Sequence, residues 1–355
     1  KARSRQQHFA LMQMSELEIS DKNLNSTIFP HQRIAVEWLL ETKSALLGDD
    51  MGLGKTLSVL ATFSELSHRK EVDFIFVICP LSLSRNWIRE KNTFLPHLNF
   101  ALAADSKAVR VKALNDAIAD TSINGLIINY EALRLEYILP LARKLMETRN
   151  VLLVLDESQR VKNPTSQSFK ALASISSLSS RKILLSGTPT PKNISDIWSQ
   201  MYLLDGGERL GGNYYDWLQQ VADLGNAYSD YAINKFYPDK VEETIKTVHE
   251  VLLRRKKEDV VSLPPKIFSF RDVELSGEQK ERYETIRNEL KLQLSSSGKK
   301  FERELTSILE QYLRAVQIAS NPRLVDETYK GDPAKFVELD EIIDLTQRLQ
   351  NLRRR

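Results

Sequence analysis

The sequence contains a glycine-bearing loop whose residue types suit the binding of a triphosphate. The loop reads Asp49-Asp50-Met51-Gly52-Leu53-Gly54-Lys55-Thr56-Leu57. It follows a short apolar run, Ala45–Gly48, and an apolar helical pattern begins at its end. Glycines at positions 52 and 54 let the backbone curl, so that successive N–H groups and a helix N-terminus face an anion. Lys55 would add a positive charge and Thr56 a ligand for Mg²⁺, so the loop predicts a nucleoside-triphosphate site.

Two adjacent carboxylates follow another apolar run. Val151–Leu155 leads directly into Asp156 and Glu157, about 100 residues after the loop. In enzymes that hydrolyse nucleoside triphosphates, one such carboxylate orients Mg²⁺ and the other polarises the attacking water. A carboxylate pair at a strand end is common in proteins. Together with the loop, however, it predicts hydrolysis, with Asp156 as the metal ligand.

Short apolar runs alternate with amphipathic stretches between residues 29 and 205. Continuous apolar runs are typical of parallel strands that helices cover on both faces. We therefore predict an α/β fold with a doubly wound parallel sheet, and we expect its chemistry at the carboxyl ends of the strands. The predicted strands are Ala45–Gly48, Phe74–Cys79, Leu126–Asn129, Val151–Leu155 and Lys182–Ser186.

The character of the sequence changes after Asp205. A glycine-rich turn leads into an aromatic, helical-looking segment, and helical periodicity resumes near residue 276. We expect an N-terminal arm over residues 1–28 and a nucleotide-binding lobe over 29–274, with a helical insertion at 206–249. Residues 275–355 should form a helical appendage.

Composition restricts the class of protein. The chain has 355 residues, 42% of them hydrophobic, and a formal net charge of only +3. This size allows a large core and a smaller second one, while the charge by itself indicates no nucleic-acid partner. A single cysteine, Cys79, and the lack of a long apolar run fit a soluble intracellular protein, in a bacterial cytoplasm or a nucleus, with no membrane partner. Because the chain begins with Lys1 instead of Met, we expect a fragment of a longer protein.

Further motifs occur in the order found in superfamily-two helicases. They are Phe29-Pro30-His31-Gln32, the loop, Asp156-Glu157-Ser158-Gln159 and Ser186-Gly187-Thr188-Pro189. The loop has Asp49 where the strict phosphate-loop pattern has glycine, and this variant is the one that superfamily carries. The resemblance implies a RecA-like P-loop NTPase that uses ATP and Mg²⁺. It implies that Gln32 reads adenine, and that Ser186, Gly187 and Thr188, contacted by Gln159, couple hydrolysis to movement.

Other stretches resemble the SWI/SNF type within that superfamily. They are Cys79-Pro80-Leu81-Ser82-Leu83-Ser84-Arg85-Asn86-Trp87, Arg160-Val161-Lys162-Asn163, and Leu253–Val260 followed by Leu263-Pro264-Pro265-Lys266. The resemblance covers about Phe29 to Leu349 and implies an ATP-dependent double-stranded-DNA translocase. Such a motor grips backbone phosphates and does not read bases. The phosphate-contact candidates are Ser82, Arg85, Asn129, Tyr130, Arg160 and Lys162.

The resemblance also implies a second RecA-like lobe after Lys335–Leu339, which would supply an arginine finger. Without that lobe, we expect this fragment to be nearly inactive as an ATP hydrolase. Two alternatives stay open: a helicase that separates strands, and a nucleotide-switched module that binds DNA or a protein partner. The basic run Arg254–Lys257 could belong to the family signature or be a solvated charged face, and Trp87 could be only a packing anchor.

Overall fold

The protein forms two units, Lys1–Leu263 and Pro264–Arg355. The computed structural model describes residues 24–25, 27–187, 193–225, 232–260, 268–275, 277–296 and 301–353. Most of the predicted N-terminal arm lies outside these residues. The first unit ends at Leu263, whereas the lobe predicted from the sequence extends to residue 274.

A seven-stranded sheet forms the centre of the first unit, and every strand pair in it is parallel. The strand order is β3-β4-β2-β5-β6-β1-β9. The strands are β1 (Ser44–Leu47), β2 (Phe74–Cys79), β3 (Asn99–Ala103), β4 (Ile123–Asn129), β5 (Val151–Leu155), β6 (Arg181–Leu185) and β9 (Leu252–Leu253). This arrangement confirms the predicted doubly wound parallel sheet.

Helices cover both faces of the sheet. One face carries α1 (Pro30–Glu41), α2 (Lys55–His68) and α3 (Leu81–Phe94). The other carries α4 (Lys107–Ala119), α5 (Tyr130–Leu133), α6 (Leu139–Thr148), α7 (Gln167–Ser176), α8 (Trp198–Asp205), α9 (Tyr214–Val221) and α10 (Pro238–His249). A short helix, α11 (Lys257–Val260), follows β9.

The central strand β2 shows why its sequence is apolar throughout. Its residues are all buried. Phe74 and Phe76 contribute to the core on one face, whereas Ile75 and Val77 contribute to the core on the other. Successive side chains of a strand point to opposite faces, so a strand covered on both sides needs an unbroken apolar run.

Two strands of the sheet and a separate two-stranded ribbon lack a clear sequence signal. Strand β3 lies at one edge and is only partly buried, and β9 is two residues long at the other edge. The segment 206–249, predicted to be helical, also contains the antiparallel strands β7 (Ala222–Leu224) and β8 (Ile233–Phe236). Strands β7, β8 and β9 have only two to four residues, which is too short for alternation to be distinguished from helical periodicity.

The second unit is helical, as predicted for the appendage. It contains α12 (Gly277–Ser296), α13 (Phe301–Ser320) and α14 (Ala334–Arg353). Gln279 joins all three helices, because its Nε2 donates to Ile318 O (2.8 Å) and its Oε1 accepts from Ala334 N (2.9 Å). Among the described helices of the chain, none has the length and apolar character needed to cross a membrane.

Candidate nucleotide-binding site

The glycine-bearing loop connects β1 to α2 and adopts the curled backbone that the sequence predicts. Gly52 and Gly54 have φ angles of +84° and +75°, which favour glycine. A Cβ atom at Gly54 would also collide with the side-chain amide of Gln32. Lys55 and Thr56 open α2 directly after Gly54, so the helix N-terminus faces the space above the loop.

The side chains of Lys55 and Asp49 are both bonded to other parts of the protein. The Lys55 ammonium donates to the backbone oxygen of Asp49 at 2.7 Å. The Asp49 carboxylate is buried and accepts from Arg255 Nε at 3.0 Å. The Asp49 carboxylate is therefore held by a buried guanidinium, and the part of Asp49 in nucleotide binding stays a prediction that concerns its backbone. Asp49 instead contributes its carbonyl and the shape of the loop.

Gln32 lies against the loop, where a base-reading residue is expected. Its Oε1 accepts from Phe29 N at 3.0 Å, and its Nε2 donates to Leu53 O at 3.3 Å. The same Leu53 carbonyl is 3.1 Å from His31 Nε2. Beside Gln32 is a cavity of about 660 Å³, which Phe29, Gly54 and Leu57 also line. Cavities of this size hold small ligands, so the segment and the loop enclose space for a nucleotide.

Asp156 is held in one orientation by three neighbours. Its Oδ2 accepts from Trp87 Nε1 at 2.8 Å, and its Oδ1 from Glu157 N at 2.9 Å. The Tyr130 hydroxyl donates to its backbone oxygen at 2.8 Å. Burial raises the pKa of the Asp156 carboxyl, while the hydrogen bond from Trp87 and the positive charge of Lys55 act in the opposite direction. Strand β5, which leads into Asp156, is separated from β1, which leads into the loop, only by β6, so the two parts of the predicted site lie at the same edge of the sheet.

Glu157 and Ser186 are joined through Gln159. Gln159 Nε2 donates to Glu157 Oε2 at 2.5 Å, and Ser186 Oγ donates to Gln159 Oε1 at 2.8 Å. Glu157 has a φ of +52°, an uncommon conformation for a residue with a side chain, and such residues cluster at functional sites. The structure therefore brings the predicted water-polarising and coupling residues together.

The rest of the coupling motif is described only in part. Gly187 lies beside the loop, since a Cβ atom there would be 3.2 Å from Met51 Cγ. Thr188 is outside the described residues.

The donor set suits Mg²⁺ held jointly with phosphate oxygens. Thr56 offers a hydroxyl and Asp156 a carboxylate. The described part of the chain contains no group of three or more His, Cys, Asp or Glu that could hold a metal without help. Mg²⁺ in phosphoryl-transfer sites takes only one or two carboxylates and obtains its other ligands from phosphate and water. The residues present therefore fit Mg²⁺ bound together with ATP.

The DNA-contact candidates follow three adjacent strands, β4, β2 and β5. Ser82 and Arg85 are exposed in the first turns of α3, and Arg160 and Lys162 are exposed after β5. All three of these cations have acidic neighbours: Arg85 is 4.0 Å from Asp105, Arg160 is 3.1 Å from Glu131, and Lys162 is 2.9 Å from Asp196. The three cations are themselves solvent-exposed, so the pairs are weak and do not prevent exchange for phosphate partners.

The other two candidates are buried. Tyr130 is 2% exposed and its hydroxyl donates to Asp156 O, so its side chain does not face the surface and its contact with DNA stays a prediction. Asn129 is 5% exposed, and its Nδ2 donates to Glu131 Oε2 at 2.8 Å. Both residues end or follow β4 at the correct edge of the sheet, but their side chains turn inward.

The family described as "SNF2-related domain" matches residues 31–324. The chain belongs to this family. Protein CHROMATIN REMODELING 5 of Arabidopsis thaliana is 28% identical over 313 residues, which are 86% of this chain and 17% of that protein. The mouse SWI/SNF-related matrix-associated actin-dependent regulator of chromatin subfamily A member 1 is 28% identical over 328 residues, 88% of this chain and 30% of that protein. The chain thus spans less than a third of either relative.

A solved structure supports the same assignment. The Sulfolobus solfataricus SWI2/SNF2 ATPase core in complex with dsDNA is similar to this chain with a TM-score of 0.58 and 28% identity. The similarity covers 92% of this chain and 66% of that one. The sheet of this SNF2-related domain is accordingly RecA-like, as predicted.

Two residues have a larger part in this SNF2-related domain than the sequence indicated. Trp87 is buried, as a packing anchor would be, but its indole N–H also orients Asp156. Arg255 is not part of a solvated face: it is 9% exposed, and its guanidinium binds both Asp49 oxygens and the carbonyl of His31. The basic run Arg254–Lys257 drew attention to Arg255 in the sequence. No sequence pattern indicated that Trp87 would donate a hydrogen bond to Asp156.

We expect Arg255→Met to destabilise the SNF2-related domain by about 3–5 kcal/mol, because it leaves the buried Asp49 carboxylate without its partner. The double variant Asp49→Asn/Arg255→Met should recover part of the loss. Urea denaturation measures both effects. Lys112→Met is the control, since Lys112 pairs with Asp116 on the surface and should change stability by no more than about 0.5 kcal/mol. Equal stability of Arg255→Met and Lys112→Met would contradict the assigned role of the buried pair.

Proposed function

We propose that this chain is the N-terminal ATP-binding lobe of an ATP-dependent double-stranded-DNA translocase. The observation that carries the proposal is the chain of hydrogen bonds from Glu157 through Gln159 to Ser186, beside the Lys55 loop. A site that only binds nucleotide needs no carboxylate connected to a coupling motif. The arrangement therefore favours hydrolysis linked to movement over a nucleotide-switched binding module.

The side chains have separable roles in this proposal. Lys55 and the loop amides offset the negative charge of the phosphates, and Gln32 binds the adenine edge. Thr56 and Asp156 would hold Mg²⁺, which would supply positive charge that offsets the negative charge of the phosphates. Glu157 polarises the attacking water from its left-handed turn. Each of these groups comes from a segment that the sheet or its helices fix, so little reorganisation is needed at the moment of reaction.

The DNA partner is proposed from surface chemistry. Arg85, Arg160 and Lys162 are exposed at the edge of the sheet that also carries Asp156. When DNA binds, each cation would exchange its carboxylate partner for a DNA phosphate, so its charge would stay neutralised. The counterions that had been bound to that phosphate are released, which favours binding. The similar Sulfolobus core is in complex with dsDNA, which supports duplex DNA as the partner. A nuclear or bacterial cytoplasmic setting agrees with this partner and with the single cysteine.

A second RecA-like lobe of the parent protein would complete the motor. The described first unit supplies the loop and both carboxylates, and the proposed arginine finger would come from that second lobe. The similar Sulfolobus ATPase core is longer than the region matched here, in agreement with a further lobe.

The chain alone should turn ATP over very slowly. Loss of an arginine finger lowers the rate by about 10³–10⁵. Steady-state release of phosphate, measured with and without duplex DNA, tests this expectation. DNA-stimulated turnover of several per second by the 355-residue chain would show that no further lobe is needed.

In the parent protein, Lys55→Ala and Glu157→Gln should each abolish DNA-stimulated ATPase activity, because one removes charge from the phosphate site and the other removes the group that polarises water. Binding of duplex DNA, measured by fluorescence anisotropy, should stay close to wild type. Lys144→Ala and Glu147→Gln are matched controls on the exposed surface of α6 and should retain activity. Hydrolysis that survives in either site variant would remove that residue from the mechanism.

A translocase and a strand-separating helicase differ in what they displace. The parent protein with ATP should remove a third strand from a triplex while leaving a duplex of equal length intact. Lys55→Ala provides the control for ATP dependence. Efficient separation of the duplex strands would favour the helicase alternative.

A further inference from the structure

The edge strand β9 and the residues after it are hydrogen-bonded to β1 and to the beginning of the phosphate loop. Leu46 N donates to Val251 O at 2.8 Å, and Gly48 N donates to Leu253 O at 2.7 Å. The pattern continues past the strand, since Asp50 N donates to Arg255 O at 3.0 Å. The segment after β9 is therefore aligned with the loop as well as with β1.

Two bonds fix the segment next to the loop. The Asp49 carboxylate binds the Arg255 guanidinium, and Asp50 Oδ2 accepts from the backbone N of Lys257 at 3.0 Å. Both are charge-assisted contacts, which are stronger than neutral hydrogen bonds. Lys257 consequently begins α11 at a defined position beside the loop, independent of where its side chain points.

The Lys257 ammonium reaches the nucleotide cavity. Its Nζ would lie 3.2 Å from a Cβ atom at Gly52, and Lys257 lines the cavity together with Gln32 and Gly54. In the part of the chain that the structure describes, no carboxylate pairs with this ammonium. Glu90 also lines the cavity, but its Oε1 accepts from Asn86 Nδ2 at 2.6 Å. An ammonium group without an acidic partner at the rim of an anion-binding loop attracts negative charge.

We propose that Lys257 is a second cationic ligand of the nucleotide polyphosphate and contacts it from the Gly52 side of the loop. Lys55 belongs to α2 and its ammonium lies against Asp49 O, whereas the Lys257 ammonium lies beside Gly52. This inference rests on the proposed function of the site. It assigns a binding role to one residue of the basic run Arg254–Lys257.

The test measures affinity as a function of ligand charge. Isothermal titration of the full 355-residue chain with Mg-ATP, Mg-ADP and adenosine should show that Lys257→Met weakens ATP binding about tenfold, the usual effect of one charge-assisted hydrogen bond. The loss should be smaller for ADP and absent for adenosine. Folding should be unaffected, because the bond to Asp50 comes from the backbone N–H and is kept in the variant.

Three comparisons make the result decisive. Lys256→Met changes an exposed neighbour that pairs with Glu258 and should bind ATP like wild type, and Lys257→Arg should restore most of the affinity. Wild-type affinity for ATP in Lys257→Met, or an equal loss for adenosine, would overturn the role of Lys257. If wild type binds ATP and Lys55→Ala does not, the proposed nucleotide site is supported independently of the result for Lys257→Met. If wild type binds no ATP, the proposed function fails.

Discussion

Parallel pairing of β5 and β1 with the intervening β6 sets the separation between the acidic pair and the phosphate loop. Neighbouring strands are about 4.8 Å apart, so two strand spacings give roughly 10 Å. That gap accommodates phosphates and a metal between Lys55 and Asp156. Ser186 follows the intermediate strand and so lies between the two. Because all three strands are parallel, their carboxyl ends lie at the same edge of the sheet, where open α/β sheets bind ligands.

Several buried and half-buried polar groups at this edge are hydrogen-bonded to one another. The Asp49 carboxylate has Arg255, Asp156 has Trp87, and Glu157 reaches Ser186 through Gln159. A buried charge without a partner destabilises a protein strongly, and a connected network holds each group in one orientation. The same bonds that make burial tolerable also fix the carboxylates before ligand arrives. The left-handed conformation of Glu157 costs free energy, and its contacts on both sides offset this cost. Its backbone N–H donates to Asp156 Oδ1, and its carboxylate accepts from Gln159 Nε2.

The positions of the central strands could be predicted from the sequence, whereas the directions in which individual side chains point could not. Strands β2 and β5 match their predicted bounds because unbroken apolar runs have few other structures available. The edge strand β9 has only two residues and carries no periodic signal. Residue type alone placed Asp49 and Tyr130 at the correct edge, but their side chains turn inward, one to Arg255 and the other to Asp156 O. Such directions depend on partners that are distant in sequence, as Arg255 is from Asp49.

Helix α3 connects the exposed DNA-contact candidates to Asp156, the proposed Mg²⁺ ligand. Ser82 and Arg85 lie in its first turns, and Trp87, on the same helix, donates to Asp156 Oδ2. A helix moves as a rigid element over so short a distance, so a phosphate contact that displaced its first turns would also change the hydrogen bond at Asp156. The reverse also holds, because a shift of Asp156 on ligand binding would act on Trp87. If the proposed function holds, stimulation of hydrolysis by DNA would act within this lobe through Trp87, in addition to any contribution from the proposed second lobe.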